Sequence, residues 1–130
     1  MRHRTLLAAA WTALVLTLCL LPASWLPRRE TNPEISTVPH TDKVVHFGLF
    51  AVFGALWMRV GTNPVEIRAA RVLAGGLALA VLTEAGQSVP AIARDSDWFD
   101  LAADLAGVVI AIGIWRLTLF AARSPASSPR

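Results

Sequence analysis

An all-α fold, an integral membrane bundle of four transmembrane helices, is the architecture expected from this chain. Apolar stretches at 5–21, 44–60, 72–83 (continuing to 89) and 101–120 take up most of its 130 residues. Hydrophobic residues make up 55% of the chain and charged residues 16%, where a soluble domain carries about 25% charged residues. A helix needs about 20 mostly apolar residues to cross a bilayer, so four spans with short loops use the whole length and leave no room for a separate soluble domain.

Basic residues set the expected orientation. Arg2, Arg4, Arg59, Arg68, Arg71, Arg116, Arg123 and Arg130 fall in the amino-terminal, second-loop and carboxy-terminal segments, whereas Arg28, Arg29, Lys43 and Arg94 fall in the first and third loops. Basic residues near span ends favour the cytoplasm, so this split predicts a multi-pass protein with both termini inside. The net charge of +3 and the pI near 10.4 then reflect topology, and no nucleic-acid partner is expected. Trp25 and Trp98 at one interface, and Trp57 and Trp115 at the other, suit aromatic belts.

The first apolar core, of 17 residues, follows a basic opening that resembles a signal peptide. It exceeds the about 7–15 residues usual for such a leader, so a retained first helix is expected, with cleavage as the alternative. Cys19 lies inside this run as the single cysteine, which rules out an intrachain disulfide and leaves it a packing or lipid-facing residue. Pro27, Pro33 and Pro39 punctuate the first loop. The second helix should begin near Thr41 or Asp42. Asn63-Pro64 reads as an amino-terminal cap with proline in the first turn of the third helix. Pro90 should end that helix after Val89, and Ser96 or Asp97 should cap the fourth, with Asp100 in its first turn. Residues 1–122 form one domain, and the Ser/Pro-rich 123–130 reads as a disordered cytoplasmic tail.

Ionisable residues inside apolar segments are costly and mark candidate functional positions. On the second helix Asp42 and His46 lie about 40° apart, with Phe53 and Trp57 continuing that face and Lys43 about 60° from His46. Phe47, Phe50 and Phe53 read as packing or lipid contacts. Glu84 and Gln87 are neighbours on the third helix. On the fourth, Asp97, Asp100 and Asp104 share an arc of about 120° with Ala103, Gly107 and Ala111. Small residues let membrane helices approach closely, so this stripe should face the bundle interior. With both termini inside, Asp42, Lys43, His46, Glu84, Gln87, Arg94, Asp97, Asp100 and Asp104 converge at the outer interface, Asp104 deepest. Glu84 and Asp104, embedded in apolar segments, are the hardest to explain as surface charges.

Each group also has a structural role open to it. Asp97 and Asp100 suit a cap and a helix-dipole partner, Lys43 and Arg94 suit neutralisation of nearby carboxylates, and His46 suits a packed, hydrogen-bonded ring. Asp42, His46, Glu84 and Asp100 offer oxygen and nitrogen ligands to a divalent ion. Neither a His-Glu-x-x-His nor a paired-cysteine spacing accompanies them, so no metal and no cofactor are expected. Ser88 and Ser96 lack a nucleophile context, and Gly75-Gly76 lies mid-helix rather than in a phosphate loop.

Asp42-Lys43-Val44-Val45-His46-Phe47, then Glu84-x-x-Gln87, then Arg94 leading to Asp100-x-x-x-Asp104-x-x-Gly107, resembles the VanZ-like family of small bacterial membrane proteins. The resemblance covers about residues 40–115, with the three blocks in family order. Many members carry Asn where this chain has Asp104. The resemblance implies a multispanning bundle in the bacterial inner (cytoplasmic) membrane, and the founding member is associated with low-level resistance to the glycopeptide teicoplanin.

Three functions are expected in order. The first is binding of an outer-leaflet lipid or cell-wall precursor in an outer polar pocket, with Lys43, His46 and Arg94 contacting an anionic or sugar headgroup and Asp42, Glu84 and Asp100 orienting them. The second is an intramembrane hydrolase or transferase with His46 as general base, oriented by Asp42, and Glu84 as acid. The third is a scaffold for a membrane complex, with the lipid bilayer and an unidentified protein as partners.

Overall fold

The computed structural model describes residues 1–25, 41–92 and 97–123. Four α-helices carry the fold: α1 Arg2–Cys19, α2 Thr41–Trp57, α3 Val65–Gln87 and α4 Trp98–Arg123, with a short 3-10 turn at Ala23–Trp25. No strand occurs among the described residues. The helices alternate in direction. The end of α1, the start of α2, the end of α3 and the start of α4 therefore meet at one end of the bundle, here called the acidic end.

Helix boundaries follow local chemistry. The Asp97 carboxylate Oδ1 accepts the Phe99 backbone N–H at 2.8 Å, the amino-terminal cap that satisfies an orphan donor of α4. Ser96 lies outside the described residues. At the start of α3, Pro64 occupies the cap position itself and no side chain caps the helix. Asn63 is therefore not the cap that the sequence suggested, and α3 ends two residues earlier than expected, at Gln87. After α2 the chain turns through Gly61, whose φ of +85° lies in the left-handed region that favours glycine. The expected tail lies outside the described residues except for Arg123, which closes α4.

The tightest packing joins α2 to α4. A Cβ added to Gly107 would meet the Phe47 carbonyl oxygen and lie 2.8 Å from the Ala51 nitrogen, so the two backbones touch there. One further turn along, a Cβ on Gly54 would lie 2.9 Å from the Ala111 methyl. This is the close approach that small residues permit between helices. Against α3, a Cβ on Gly76 would meet Val108 at 2.8 Å. Phe50, Phe53, Met58, Val72, Leu79, Ala80 and Val108 fill the interior, together with Val15 and Cys19 from α1. α1 is fastened through Trp11, whose indole N–H donates to the Leu49 carbonyl at 2.9 Å.

Many large apolar side chains lie on the outside of the bundle. Leu6, Leu14, Val44, Val52, Leu73, Val81, Ile114 and Phe120 are all exposed, and they come from all four helices. Among the described residues one helix, Trp98–Ala122, is both long and apolar enough to cross a membrane, with a mean hydropathy of 2.0. The others fall short for visible reasons. α2 has 17 residues and spans about 26 Å against a hydrocarbon core of about 30 Å. α1 opens on Arg2 and Arg4, and α3 carries Glu66, Arg68, Arg71 and Glu84.

Candidate functional site

The contact at Gly107 decides the geometry of the acidic end. It lays the first two turns of α2 directly against the first three of α4, which sets His46 opposite Asp104 on neighbouring backbones. His46 Nδ1 stands 3.0 Å from Asp104 Oδ1. Both residues are buried, with 4% of His46 and none of Asp104 exposed. Small side chains at this contact therefore place a buried imidazole–carboxylate pair in the helix interface.

Asp97 joins three helices. Its Oδ2 accepts from the Lys43 ammonium of α2 at 2.6 Å, and its backbone N–H donates to Glu84 Oε2 of α3 at 2.9 Å. Lys43 also donates to Asp100 Oδ1 at 3.0 Å and lies 3.5 Å from Asp42 Oδ2. The Lys43 ammonium is held well above the ordinary lysine range, chiefly by its hydrogen bonds to Asp97 and Asp100. Asp100 is buried behind it, whereas Asp42 is exposed. The helix ends are thus tied by one cation shared among three carboxylates.

Two buried carboxylate oxygens have no hydrogen-bond partner among the described residues: Glu84 Oε1 and Asp104 Oδ2. An unpaired buried acceptor costs about 1–3 kcal/mol, more when charged. His46, Glu84 and Asp104 each bring a nitrogen or oxygen atom to within 4.8 Å of the other two. Glu84 also lines a groove of about 270 Å³ between α3 and α4, where Ser88 and Asp97 supply polar atoms and Val81, Ala85, Trp98 and Leu101 apolar walls. Of the trio, Glu84 alone lines this groove.

The structure brings together Asp42, Lys43, Asp97 and Asp100 in one cluster and His46, Glu84 and Asp104 in the adjoining one. Three details differ from the sequence expectation. His46 is held by Asp104 and not by Asp42, because the helix–helix contact places Asp104 across the interface while Asp42 turns towards Lys43. Lys43 is engaged by carboxylates on α2 and α4 rather than turned towards a ligand. Gln87 is buried but faces α1, where its amide N–H donates to the Cys19 carbonyl at 3.2 Å. Arg94 lies outside the described residues. The joining role of Asp97 was hidden because a cap residue normally serves its own helix, and nothing in its spacing shows Glu84 reaching its backbone.

At the opposite end of the bundle the polar contacts are of another kind. The Trp57 indole N–H donates to the Thr12 hydroxyl at 3.0 Å, and the Arg68 guanidinium donates to the Met58 carbonyl at 3.1 Å. Arg68 also lies over the Trp115 ring, 5.7 Å from its centroid. Trp57 and Trp115 are partly buried here, whereas Trp25 and Trp98 at the acidic end are 75% and 84% exposed.

Comparison with protein-family models, with curated proteins and with solved structures finds no match for this chain.

Proposed function

We propose that this chain is a VanZ-like integral membrane protein of the bacterial inner membrane, with four spans and both termini in the cytoplasm. It binds an outer-leaflet envelope component through the acidic end, which faces out of the cell. The unpartnered buried oxygens of Glu84 and Asp104, beside a lateral groove that Glu84 lines, carry this reading. The exposed apolar side chains on all four helices support immersion in lipid, since a water-facing surface rarely offers so many. A groove between α3 and α4 with Trp98 at its mouth suits a ligand arriving sideways from the bilayer.

The charges narrow the ligand. Asp42, Glu84, Asp97, Asp100 and Asp104 meet one lysine and one histidine among the described residues, and the lysine is already shared by three carboxylates. Such a site favours hydrogen-bond donors, so a hydroxyl-rich sugar headgroup fits better than a bare anion.

The test is a deletion strain profiled against glycopeptides and other envelope stresses, complemented with wild type, His46→Ala, Glu84→Ala and Asp100→Ala. Loss of complementation at unchanged membrane abundance supports binding. Loss of abundance in all three variants makes the cluster a scaffold and sinks the ligand reading. Topology reporters placed in the loop after α2 and at both termini should read cytoplasmic.

The His46–Asp104 pair favours a second reading, an intramembrane hydrolase or transferase acting on a lipid-linked intermediate. An imidazole held at Nδ1 by a carboxylate presents Nε2 as a general base. Purified protein given labelled lipid-linked precursors should then release a new product. No turnover across a substrate panel, with and without divalent metal, removes this reading.

A further inference from the structure

We propose that His46, Glu84 and Asp104 form a binding site for one divalent transition-metal ion of the zinc or manganese class. The site rests on the binding reading, because it lies at the same acidic end and names what the trio holds. Three helices supply one nitrogen and two carboxylate donors, all with ligand atoms within 4.8 Å of one another.

Donor chemistry, burial and spacing converge. The set is one imidazole and two carboxylates, which suits zinc, manganese or iron(II), whereas magnesium and calcium prefer all-oxygen sets. On a tetrahedral zinc with bonds of about 2.1 Å two ligands stand about 3.4 Å apart, and at right angles on a six-coordinate ion such as manganese about 3.0 Å apart. The latter is the separation of His46 Nδ1 and Asp104 Oδ1. The same pair is therefore spaced for adjacent positions on one ion without moving α2 against α4.

The orphaned oxygens point the same way. Asp104 is fully buried, and its Oδ2 has no hydrogen-bond partner among the described residues. Glu84 spends Oε2 on the Asp97 backbone and leaves Oε1 buried and unpaired. Two buried carboxylates so close together need a shared proton, a charged His46 or another cation between them. Lys43 is engaged by Asp97 and Asp100 and does not reach them within hydrogen-bond distance. An ion supplies that charge; it consumes Glu84 Oε1, and it consumes Asp104 Oδ2 as well where Asp104 binds through both oxygens. The trio provides three ligands, so further coordination positions remain for a hydroxyl or phosphate oxygen entering past Glu84 from the groove.

Sequence spacing conceals this site because its ligands come one from each of three helices. The set weighed from sequence contained Asp42 and Asp100, which the fold assigns to Lys43 instead.

The experiment uses the full chain purified in detergent, stripped with chelator and titrated with Zn²⁺ or Mn²⁺ against a chromophoric competitor. One ion per chain is expected, with Mg²⁺ failing to displace it. Co²⁺ should give visible ligand-field bands that His46→Ala abolishes. Asp104→Asn keeps the shape of the side chain and His46→Ala removes the nitrogen ligand; each should weaken zinc by at least tenfold. Glu66→Gln, at the far end of α3, should bind as wild type. Thermal melts of the metal-free variants separate lost ligation from lost folding. Wild type binding no more zinc than Asp104→Asn overturns the metal site, and the trio then shares a proton. If complementation still depends on His46 and Glu84 in that case, the envelope-binding reading stands without the ion. One zinc per chain in a protein whose His46→Ala and Glu84→Ala variants complement fully upholds the metal site and overturns the envelope-binding reading.

Discussion

Among the described residues, the buried side-chain atoms without partners at the acidic end of the bundle are carboxylate oxygens, Glu84 Oε1 and Asp104 Oδ2; at the opposite end they are nitrogens, Arg68 Nε and Trp115 Nε1. The surroundings differ in kind. Arg68 already donates through its terminal nitrogen to the Met58 carbonyl and lies over the Trp115 ring, so its charge is met by the turn that follows α2. Trp57 finds the Thr12 hydroxyl. These contacts fasten helix ends together. Glu84 and Asp104 converge with His46 from three helices, next to a groove, and their free lone pairs remain. A polar end whose charge is met by its own backbone reads as a fastening, and one that gathers an imidazole and two carboxylates with unpaired acceptors reads as a site.

The difference between the two ends depends most heavily on the close approach at Gly107. Gly107→Ala drives a methyl into the backbone of α2 at Phe47 and Ala51, which cannot swing aside as a side chain would. We expect a loss of about 3 kcal/mol, read as a lowered melting temperature in detergent, together with loss of zinc binding. Gly113→Ala, farther along the same helix where a Cβ meets nothing within 4 Å, should leave stability unchanged or slightly raised. Equal stability for the two variants would show that the α2–α4 contact does not position the acidic end.

Next in size is Arg68→Ala, which removes a charged donor from the Met58 carbonyl and should cost about 2 kcal/mol. Zinc titration should not move, since the change lies at the other end of the bundle. Trp57→Phe removes the bond to Thr12 together with part of the packing of the indole, so a loss of about 1–2 kcal/mol is expected, again with zinc affinity intact. A change in zinc affinity in either variant would mean that the two ends are coupled.

The subtlest effect depends on pH. The folded chain holds Lys43 charged above the ordinary lysine value of 10.5. Its contribution is therefore complete below that pH and is lost only as pH rises through the higher folded value. Lys43→Met should lower the melting temperature across the neutral range, where the contribution is complete, and its profile should approach that of wild type only as pH rises beyond the ordinary lysine value. A melting temperature equal to that of wild type at neutral pH would show that the three-carboxylate clasp does not stabilise the acidic end.

Much of the fold was legible because hydrophobic spacing is a local property. Four apolar stretches became four helices, Thr41 opened α2, Asp97 capped α4, and Gly107 and Ala111 faced inward as their spacing with Asp104 required. Boundaries were less legible where a side chain had two roles open to it. Pro64 took the cap position rather than the first helical one, and α3 stopped at Gln87, whose side-chain amide donates to the Cys19 carbonyl on α1.

By itself the chain determined which residues are embedded, which end of each helix carries them, and that small residues accompany the acids of α4. Pairing was left to the tertiary structure. Asp42 and His46 share one face of α2 and looked like partners, yet the backbone contact at Gly107 put Asp104 closer and left Asp42 to Lys43. Helical periodicity fixes the direction of a side chain about its own axis, whereas distances between helices depend on how closely two backbones approach. That approach is a property of the assembled bundle, and it made three scattered residues a single trio.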